Sequence, residues 1–338
     1  MVSLAALVKE MTKWFVTLVC ILGYSALLTG PLCAQSAPRG KTASKVILDT
    51  DIGDDIDDAF ALALALRSPE IRLVGITTAW GDTELRARLA NRLVEEAGSA
   101  PVPVLAGVPT TSKTNFTQAA WAKEGAAAAG DRGAVEFLLA EAKKSPGEVT
   151  LVAIGPLTNV AAAIDRDIEA FRKFKRVVLM GGSIRRGYGD LGYAPDRGPQ
   201  PEYNIVSDAK AAQKLFSSGV PIFMMPLDAT QLPLDENKRT LLFSTGSKLS
   251  NALAVLYFQW LRSTRTPTPT LFDAMAVGFA IDPELCPVEA LHIIVDESGM
   301  TRPTPGAPNA SACLASDSEK FFHFLLPRLL APQPQSTH

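Results

Sequence analysis

Short apolar runs alternate with stretches of helical composition along most of the chain. The runs KVILDT, IRLVGITTAW, EVTLVAIG, RVVLMGG and VPIFMMPLDAT are rich in β-branched and other apolar residues. The stretches that follow, such as DDAFALALALRS and ELRARLANRLVEEAG, are rich in alanine and leucine, which favour helix. Strands that alternate with helices predict an α/β fold with an open, mostly parallel sheet and helices on both faces.

Polar residues come directly after several of the predicted strands. Asp82 follows GITTAW, Thr158 follows AIGPL, and Asp228 follows IFMMPL. The first strand leads into six aspartates, namely Asp49, Asp51, Asp54, Asp55, Asp57 and Asp58. Because ligands of such sheets bind outside the carboxyl ends of the strands, we expect a site at this edge. The glycine-rich segment from Ser183 to Pro201 has few apolar anchors, which predicts a lid over that site.

Composition and charge place the chain among ordinary globular proteins. Of its 338 residues, 47% are hydrophobic and 20% are charged, which is enough for a large core. No linker interrupts the pattern, so residues 45–330 are predicted to form one domain. The formal net charge of -2 argues against a nucleic-acid partner or a membrane-surface role, since both usually need a basic excess.

The first 34 residues have the order of a secretory signal. Lys9 and Lys13 precede an apolar run, and small residues follow it up to Ala34. We expect cleavage after Ala34, export to the periplasm or medium, and no stable membrane insertion after cleavage. Residues 35–44 are small and polar, which predicts a flexible lead-in. An uncleaved N-terminal anchor is the alternative, although the apolar run is short for a membrane span.

Two cysteines, Cys286 and Cys313, remain after such a cleavage. An exported pair could form a disulfide, whereas two free buried cysteines are equally compatible with the sequence.

The clustered aspartates suit a hard divalent cation, because Ca²⁺ and Mg²⁺ prefer carboxylate and carbonyl oxygens. The segment is not an EF-hand loop, which needs glycine at its sixth position and glutamate at its twelfth. Counted from Asp49, those positions hold Asp54 and Phe60. A solvated acidic turn is the alternative without a metal.

Two families of metal-dependent enzymes have comparable aspartate motifs. VILDTD alone would fit a phosphatase of the haloacid dehalogenase type, with Asp49 as nucleophile and Asp51 as acid and base. That family usually continues with Gly-Thr or Gly-Val, whereas this chain continues with Ile52 and Gly53. Further aspartates would also repel a phosphate group.

A second resemblance covers the chain from about Lys45 to near Arg328. The segments DTDIGDDIDDA, GITTAWGDT, AIGPLTNVA, VVLMGGS, PEYNIVSDAKAA, PLDAT and LFDAMAV resemble, in the same order, those of the nucleoside hydrolases. The resemblance implies the Rossmann-like fold of that family. It also implies hydrolysis of the N-glycosidic bond of ribonucleosides to free base and ribose, with Ca²⁺ as cofactor.

The resemblance also implies a role for each matching residue. The predicted calcium ligands are Asp51, Asp58, Asp273 and the carbonyl of Thr158. Asp57 is the predicted general base that activates a calcium-bound water. Asp82, Glu202 and Asn204 are the predicted contacts of the ribose hydroxyls. The first motif is the version that is longer by two residues, which leaves open whether Asp54 or Asp55 takes part of a role.

The chain departs from the family pattern at the leaving group. Well-known members have a histidine where this chain has Phe272, so that candidate acid for the departing base is absent. His292 and His323 are predicted to be structural or exposed, since each lies in a strong strand or helix context. Stacking of the base between aromatic side chains is the alternative, with Trp80, Tyr188, Tyr193 and Trp260 as candidates. Trp260 lies in a helical run and is predicted to be a packing residue.

A non-catalytic nucleoside- or sugar-binding protein on the same scaffold is the alternative to an enzyme. The missing histidine motivates it, and Asp57 argues against it, because binding alone needs no general base. The family resemblance implies a homodimer or homotetramer.

Overall fold

The computed structural model of the protein describes residues 42–128, 133–189 and 197–332. The predicted signal segment, most of the predicted lead-in, and Tyr193 lie outside these residues. The strands of the described residues are β1 (Ser44–Thr50), β2 (Ile71–Thr78), β3 (Val104–Ala106), β4 (Val149–Ala153), β5 (Arg176–Met180), β6 (Ile222–Met225), β7 (Val288–Leu291), β8 (Ile293–Val295), β9 (Thr301–Pro303) and β10 (Ala310–Cys313).

Helices follow most of the strands, as the alternating pattern predicts. Those of the described residues are α1 (Asp57–Leu66), α2 (Thr83–Glu96), α3 (Ala119–Ala122), α4 (Ala134–Lys144), α5 (Thr158–Arg166), α6 (Ile168–Phe171), α7 (Tyr203–Ser207), α8 (Ala209–Phe216), α9 (Leu227–Thr230), α10 (Glu236–Phe243), α11 (Lys248–Thr264), α12 (Ala274–Ile281) and α13 (Ser318–Leu330). Among these described helices, none combines the length and apolar character that crossing a membrane would require.

The central sheet has the strand order β3-β2-β1-β4-β5-β6-β10-β7. All neighbours in it pair in parallel except the edge strand β7, which pairs antiparallel with β10. Strands β8 and β9 form a separate antiparallel pair. The order reverses at β1, because β2 and β3 follow on one side of it and the connection after β3 crosses to β4 on the other side. A crevice outside the carboxyl ends of the strands is expected at such a reversal.

Both faces of the sheet are covered, which explains why its strands are continuous apolar runs. In β1, Val46 and Leu48 belong to one hydrophobic core, and Ile47 between them belongs to a second core on the opposite face. Successive side chains of a strand point to opposite faces, so a strand buried on both sides needs apolar residues at every position. The predicted α/β architecture is confirmed.

Helices α1 and α12 are buried on nearly all sides and pack against each other. Their sequences, DDAFALALAL and AMAVGFAI, carry apolar residues all round, which is typical of a helix inside a large protein. Because both helices begin near the carboxyl edge of the sheet, their first turns bring Asp57, Asp58 and Asp273 into the interior. The fold therefore places carboxylates where an apolar core would otherwise continue.

Cys286 and Cys313 form a disulfide, with Cα atoms 5.8 Å apart. Both residues are fully buried, and the bond joins the segment before β7 to the end of β10. This settles the pairing that the sequence left open.

Removing this bond with Cys286→Ser and Cys313→Ser together should destabilise the fold without changing the site. The two cysteines are 27 residues apart, and a loop of that size corresponds to about 3 to 4 kcal/mol in the chain-entropy model. Denaturant unfolding should show this loss in the double variant. Reducing agent should destabilise the parent protein and leave the variant unchanged. Equal unfolding midpoints for the two proteins would contradict a stabilising role of the bond.

Candidate active site

A cavity of about 680 Å³ opens at the carboxyl edge of the sheet. Residues that follow successive strands line it, including Asp51 after β1, Trp80 after β2, Ile154 after β4 and Met180 at the end of β5. Seven carboxylate side chains line its wall, namely Asp51, Asp54, Asp55, Asp57, Asp58, Glu202 and Asp273. The predicted location of the site is therefore where the structure has a cavity.

Asp57, Asp58 and Asp273 form a compact cluster in this wall. One ligand atom from each lies within 4.8 Å of the others, and all three residues are buried. Asp57 and Asp58 occupy the first turn of α1, and Asp273 is the N-cap residue of α12. The backbone N–H of Asp273 donates to Oδ2 of Asp57 at 3.3 Å. Helix N-termini favour negative charge, so both helices help to hold these carboxylates.

Burial raises the pKa of each carboxyl in the cluster well above its usual range, because desolvation disfavours the charged form. Neighbouring carboxylates add to the effect, with Asp55 acting on Asp57, Asp51 on Asp58, and Asp57 on Asp273. Burial also raises the pKa of Asp51 to about 7. Three buried acids at this spacing are ionised together only if a cation offsets their repulsion, and otherwise at least one of them holds a proton.

The donor set fits a hard divalent metal ion. The atoms that converge are carboxylate oxygens, which is the chemistry that Ca²⁺ and Mg²⁺ prefer. Asp51 lines the same cavity and acts electrostatically on all three members of the cluster. Thr158 begins α5 and is not among the residues that line the cavity, so its predicted role as a carbonyl ligand stays a prediction.

Asp49 has a different place from the other aspartates. It is fully buried inside the sheet, where Thr77 Oγ1 and Asn159 Nδ2 donate to its Oδ1 at 2.5 and 2.7 Å. Burial raises its pKa to about 6. Because Asp49 does not line the cavity, it has no access to a substrate there, and this argues against the phosphatase-type nucleophile.

Asp82 is not among the lining residues either. It is exposed and is the N-cap of α2, where its Oδ1 accepts from the backbone N–H of Leu85 at 3.0 Å. The sequence GDT followed by a helix is typical of such a cap. The arrangement therefore gives Asp82 a capping role and does not support the predicted contact with ribose.

Glu202 and Asn204 both line the cavity, and backbone groups fix both side chains. Glu202 caps α7 and accepts from the N–H groups of Gly182, Asn204 and Ile205 at 2.9 to 3.2 Å. Asn204 Nδ2 donates to the carbonyls of Ile154 and Met180, both of which belong to the cavity wall. Burial raises the pKa of Glu202 to about 6 despite these donors. The two side chains are held rigidly, as a binding surface requires.

Aromatic side chains form another part of the wall, namely Trp80, Tyr188, Tyr203, Trp260 and Phe272. Tyr188 and Phe272 meet edge to face, with ring centroids 5.9 Å apart. Trp260 is packed in the core, as predicted, but it also lines the cavity and its side chain hydrogen-bonds Asp55. The sequence did not predict the contact with Asp55, because a helical pattern shows burial but not which neighbour the indole reaches.

Tyr188 is poorly suited to protonate a leaving group. Its hydroxyl accepts from the backbone N–H of Tyr203 at 3.0 Å and hydrogen-bonds Glu202. Burial, together with the charges of Glu202, Asp57 and Asp273, raises the pKa of Tyr188 above that of free tyrosine. Its position shows that the described part of the predicted lid reaches the cavity.

The histidines of the described residues lie away from the cavity, as predicted. His292 Nδ1 contacts the carbonyl of Ala307 at 2.8 Å, and His323 is exposed on α13 next to the carbonyl of Glu319.

Sequence reasoning missed two further parts of the site. Five polar residues that belong to none of the motifs found in the sequence line the cavity, namely Ser112, Lys113, Thr114, Asn115 and Thr117. Arg86 is fully buried behind the aspartates and forms an ion pair with Asp54 at 2.8 Å. A signal for Arg86 was present, because it lies on the same face of α2 as the buried residues Leu89, Ala90 and Leu93.

Comparisons with known proteins agree with this arrangement. The family model described as inosine-uridine preferring nucleoside hydrolase matches residues 46–323. A probable uridine nucleosidase 2 of Arabidopsis thaliana is 32% identical over 278 residues, which cover 76% of this chain and 84% of that protein. The solved structure of a plant nucleoside hydrolase has a TM-score of 0.73 at 26% identity, and the match covers 86% of this chain and 99% of that chain. That of a purine-preferring ribonucleoside hydrolase from Gardnerella vaginalis has a TM-score of 0.71 at 27% identity, covering 85% and 98%.

Proposed function

Because this chain belongs to the inosine-uridine preferring nucleoside hydrolase family, it is an N-glycosyl hydrolase, and we propose that it hydrolyses ribonucleosides to free base and ribose. The observation that carries the proposal is the cluster of Asp57, Asp58 and Asp273 in a cavity that also presents Glu202 and Asn204. The buried acids suit a sugar that becomes positively charged as its bond to the base breaks, and the hydrogen-bonding groups suit its hydroxyls.

Ca²⁺ is the proposed cofactor, and Asp51, Asp58, Asp273 and the carbonyl of Thr158 are its proposed ligands. A cluster of oxygen donors suits Ca²⁺, which accepts six to eight oxygens at variable geometry. When bound, such an ion lowers the pKa of water and orients the hydroxyls of a sugar.

Asp57 is the proposed general base. It lines the cavity, and the backbone N–H of Asp273 fixes its carboxylate. A carboxylate held in this way can take the proton of the attacking water as the C1′–N bond breaks. The remaining carboxylates of the wall stabilise the oxocarbenium-like sugar that forms, because their charge acts strongly in a site that excludes bulk water.

Glu202 and Asn204 are the proposed contacts of the ribose hydroxyls. Their backbone hydrogen bonds hold them before the substrate arrives, which lowers the entropy cost of binding. Trp80, Tyr188 and Phe272 form the aromatic surface on which the base would stack, and Trp260 belongs to the same wall. Stacking rather than protonation by a histidine is the proposed help to the leaving base.

The missing histidine motivated the alternative of a binding protein without catalysis, and no histidine of the described residues faces the cavity in its place. Asp57 favours an enzyme, because ribose binding alone does not require an acid that the fold buries at a helix N-terminus.

Ribonucleosides and 2′-deoxyribonucleosides with the same base provide the test. Free base should be released from the ribonucleosides and far more slowly from their deoxy counterparts, because the deoxy sugar lacks a hydroxyl of the diol. Chromatography of uridine, inosine and both deoxy analogues after incubation would measure this. Tight binding of a ribonucleoside with no release of base would support the binding protein instead.

We propose that the chain is exported and assembles as a homodimer or homotetramer. The basic, apolar and small residues up to Ala34 support export, and so does the buried disulfide, which forms in oxidising compartments. N-terminal sequencing of the native protein should find a start near Gln35. A start at Met1 or Met11 in a cytoplasmic fraction would contradict export.

Light scattering of the purified protein measures the assembly.

A further inference from the structure

Arg86 lies directly behind the Asp loop, which comprises residues 51–56. It is the largest fully buried side chain of the described residues, and it projects from α2. Burial of an arginine is costly unless every donor finds an acceptor. The acceptors around Arg86 therefore show which parts of the chain it holds in place.

The guanidinium donates to three separate segments. Nη1 donates to the carbonyls of Asp51 and Ile52, and Nη2 donates to Asp54 Oδ2 at 2.8 Å. Nε donates to the carbonyl of Trp80 at 2.7 Å. Nη2 also lies 3.4 Å from Thr114 Oγ1, in the segment after β3, which lines the cavity as well. One side chain thus joins the Asp loop, the turn after β2 and the segment after β3.

Trp80 shows why the turn after β2 needs such support. Its φ of 68° lies in the left-handed region, which is unfavourable for a bulky side chain. The hydrogen bond from Arg86 Nε to the carbonyl of Trp80 holds the backbone in this conformation, and the side chain of Trp80 lines the cavity. Trp80 and the Asp loop are therefore fixed relative to each other through one guanidinium.

The other side of the Asp loop is held by a different segment. Gln118 donates from its backbone N–H to the carbonyl of Gly53 at 3.1 Å, and from Nε2 to that of Asp55 at 2.6 Å. Thr117 Oγ1 donates to the carbonyl of Asp54 at 2.8 Å. Each carbonyl from residue 51 to residue 55 thus accepts from a donor outside the loop. The backbone of the loop is therefore held from outside along its whole length.

We propose that Arg86 is a positioning residue of the hydrolase, which fixes the Asp loop and Trp80 in the arrangement that catalysis needs. The proposal rests on the proposed function. Arg86 does not line the cavity, so it acts through the residues that it holds. Lysine cannot replace it, because an ammonium has three donors and no planar fork, whereas Arg86 contacts five acceptors in three segments.

The variant Arg86→Lys, which keeps the positive charge, tests the proposal. We expect kcat to fall by about 10- to 100-fold, which is the range typical of residues that orient the ligands of a metal ion. Hydrogen–deuterium exchange should also become faster in the Asp loop of the folded variant than in the parent protein. A purely structural role would lower the melting temperature and leave kcat at wild-type level.

Arg176→Lys is the matched control. Arg176 is a half-buried arginine at the opposite end of the sheet, where it donates to the carbonyl of Ala280 at 3.2 Å and packs over Phe223 and Phe279. Its replacement should change stability but neither kcat nor exchange in the Asp loop. A folded Arg86→Lys protein with kcat and loop exchange like those of Arg176→Lys would overturn the proposal.

Asp54→Asn provides a second variant if Arg86→Lys does not fold. Asp54 is partly exposed, so the change to an amide should be tolerated, and it removes the ion pair that orients the guanidinium. Because Asp54 itself lines the cavity, loop exchange rather than kcat is the readout here: the proposal expects faster exchange, and the exchange rate of the parent protein would overturn it. If the parent protein itself hydrolyses no nucleoside, the proposed function fails, while loop exchange still decides whether Arg86 holds the Asp loop.

Discussion

Asp57→Asn is expected to lower kcat by about 10²- to 10⁴-fold while the fold is kept, because general-base catalysis typically contributes that much. An amide has nearly the shape of the carboxylate but cannot take the proton of the attacking water. Its oxygen can still accept the 3.3 Å hydrogen bond from the N–H of Asp273, so the local backbone should stay in place. Steady-state kinetics with uridine and inosine would measure the loss.

A p-nitrophenyl riboside separates this role from protonation of the leaving group. Its leaving group departs without a proton, but it still needs an activated water. Asp57→Asn should therefore harm this substrate as much as it harms the natural nucleosides. Near-normal turnover of either substrate type would remove Asp57 from the mechanism and direct attention to Asp54 or Asp55.

Asp273→Asn should also abolish most of the activity, but for a different reason. The change removes one charge from the cluster with Asp57 and Asp58 at nearly constant volume. We expect the affinity for Ca²⁺ to fall by at least about 100-fold, since even residues that only support metal ligands change it by about 10- to 100-fold. Isothermal titration calorimetry with Ca²⁺ would measure the affinity.

The two variants should respond differently to added metal. Activity of Asp273→Asn should recover partly at high Ca²⁺ concentration, because mass action refills a weakened site. Asp57→Asn should not recover, because metal cannot supply the missing base. Unchanged Ca²⁺ affinity in Asp273→Asn would exclude Asp273 as a ligand.

The six aspartates of the first motif have at least three different roles in the structure. Asp49 is hydrogen-bonded inside the sheet, Asp54 pairs with Arg86, and Asp57 and Asp58 belong to the carboxylate cluster. So many like charges are tolerated because hydrogen-bond donors, the buried guanidinium of Arg86 and the N-termini of α1 and α12 each stabilise some of them. The aspartates are therefore close together in the sequence but have different environments in the structure, and they do not form one acidic surface.

The sheet and the position of the cavity were predictable from the sequence, because both follow from local periodicity. Apolar runs buried on two faces predicted the parallel strands. The polar residues after them predicted the edge of the sheet where the cavity lies, which Asp51 and Glu202 both line. The contact of Asp82 with ribose stays a prediction, because the same edge also carries helix caps, which have the same residue types as binding sites.

The roles of Arg86 and Trp260 depend on contacts between distant segments. Arg86 meets Asp54 across 32 residues, and Trp260 reaches Asp55 from a helix far along the chain. Periodicity places each side chain on a buried face, yet it does not identify the partner on the other side. For this reason, the support of the Asp loop became visible only in the folded chain.

The most direct test of the proposed hydrolysis follows base and ribose together, in phosphate-free buffer, from uridine and from inosine. The purified protein should first be treated with chelator and dialysed, and then assayed with and without added Ca²⁺. We predict equal amounts of free base and ribose from at least one of the nucleosides, only after Ca²⁺ is restored. Absence of both products at saturating Ca²⁺, or equal release in excess chelator, would contradict a calcium-dependent ribonucleoside hydrolase.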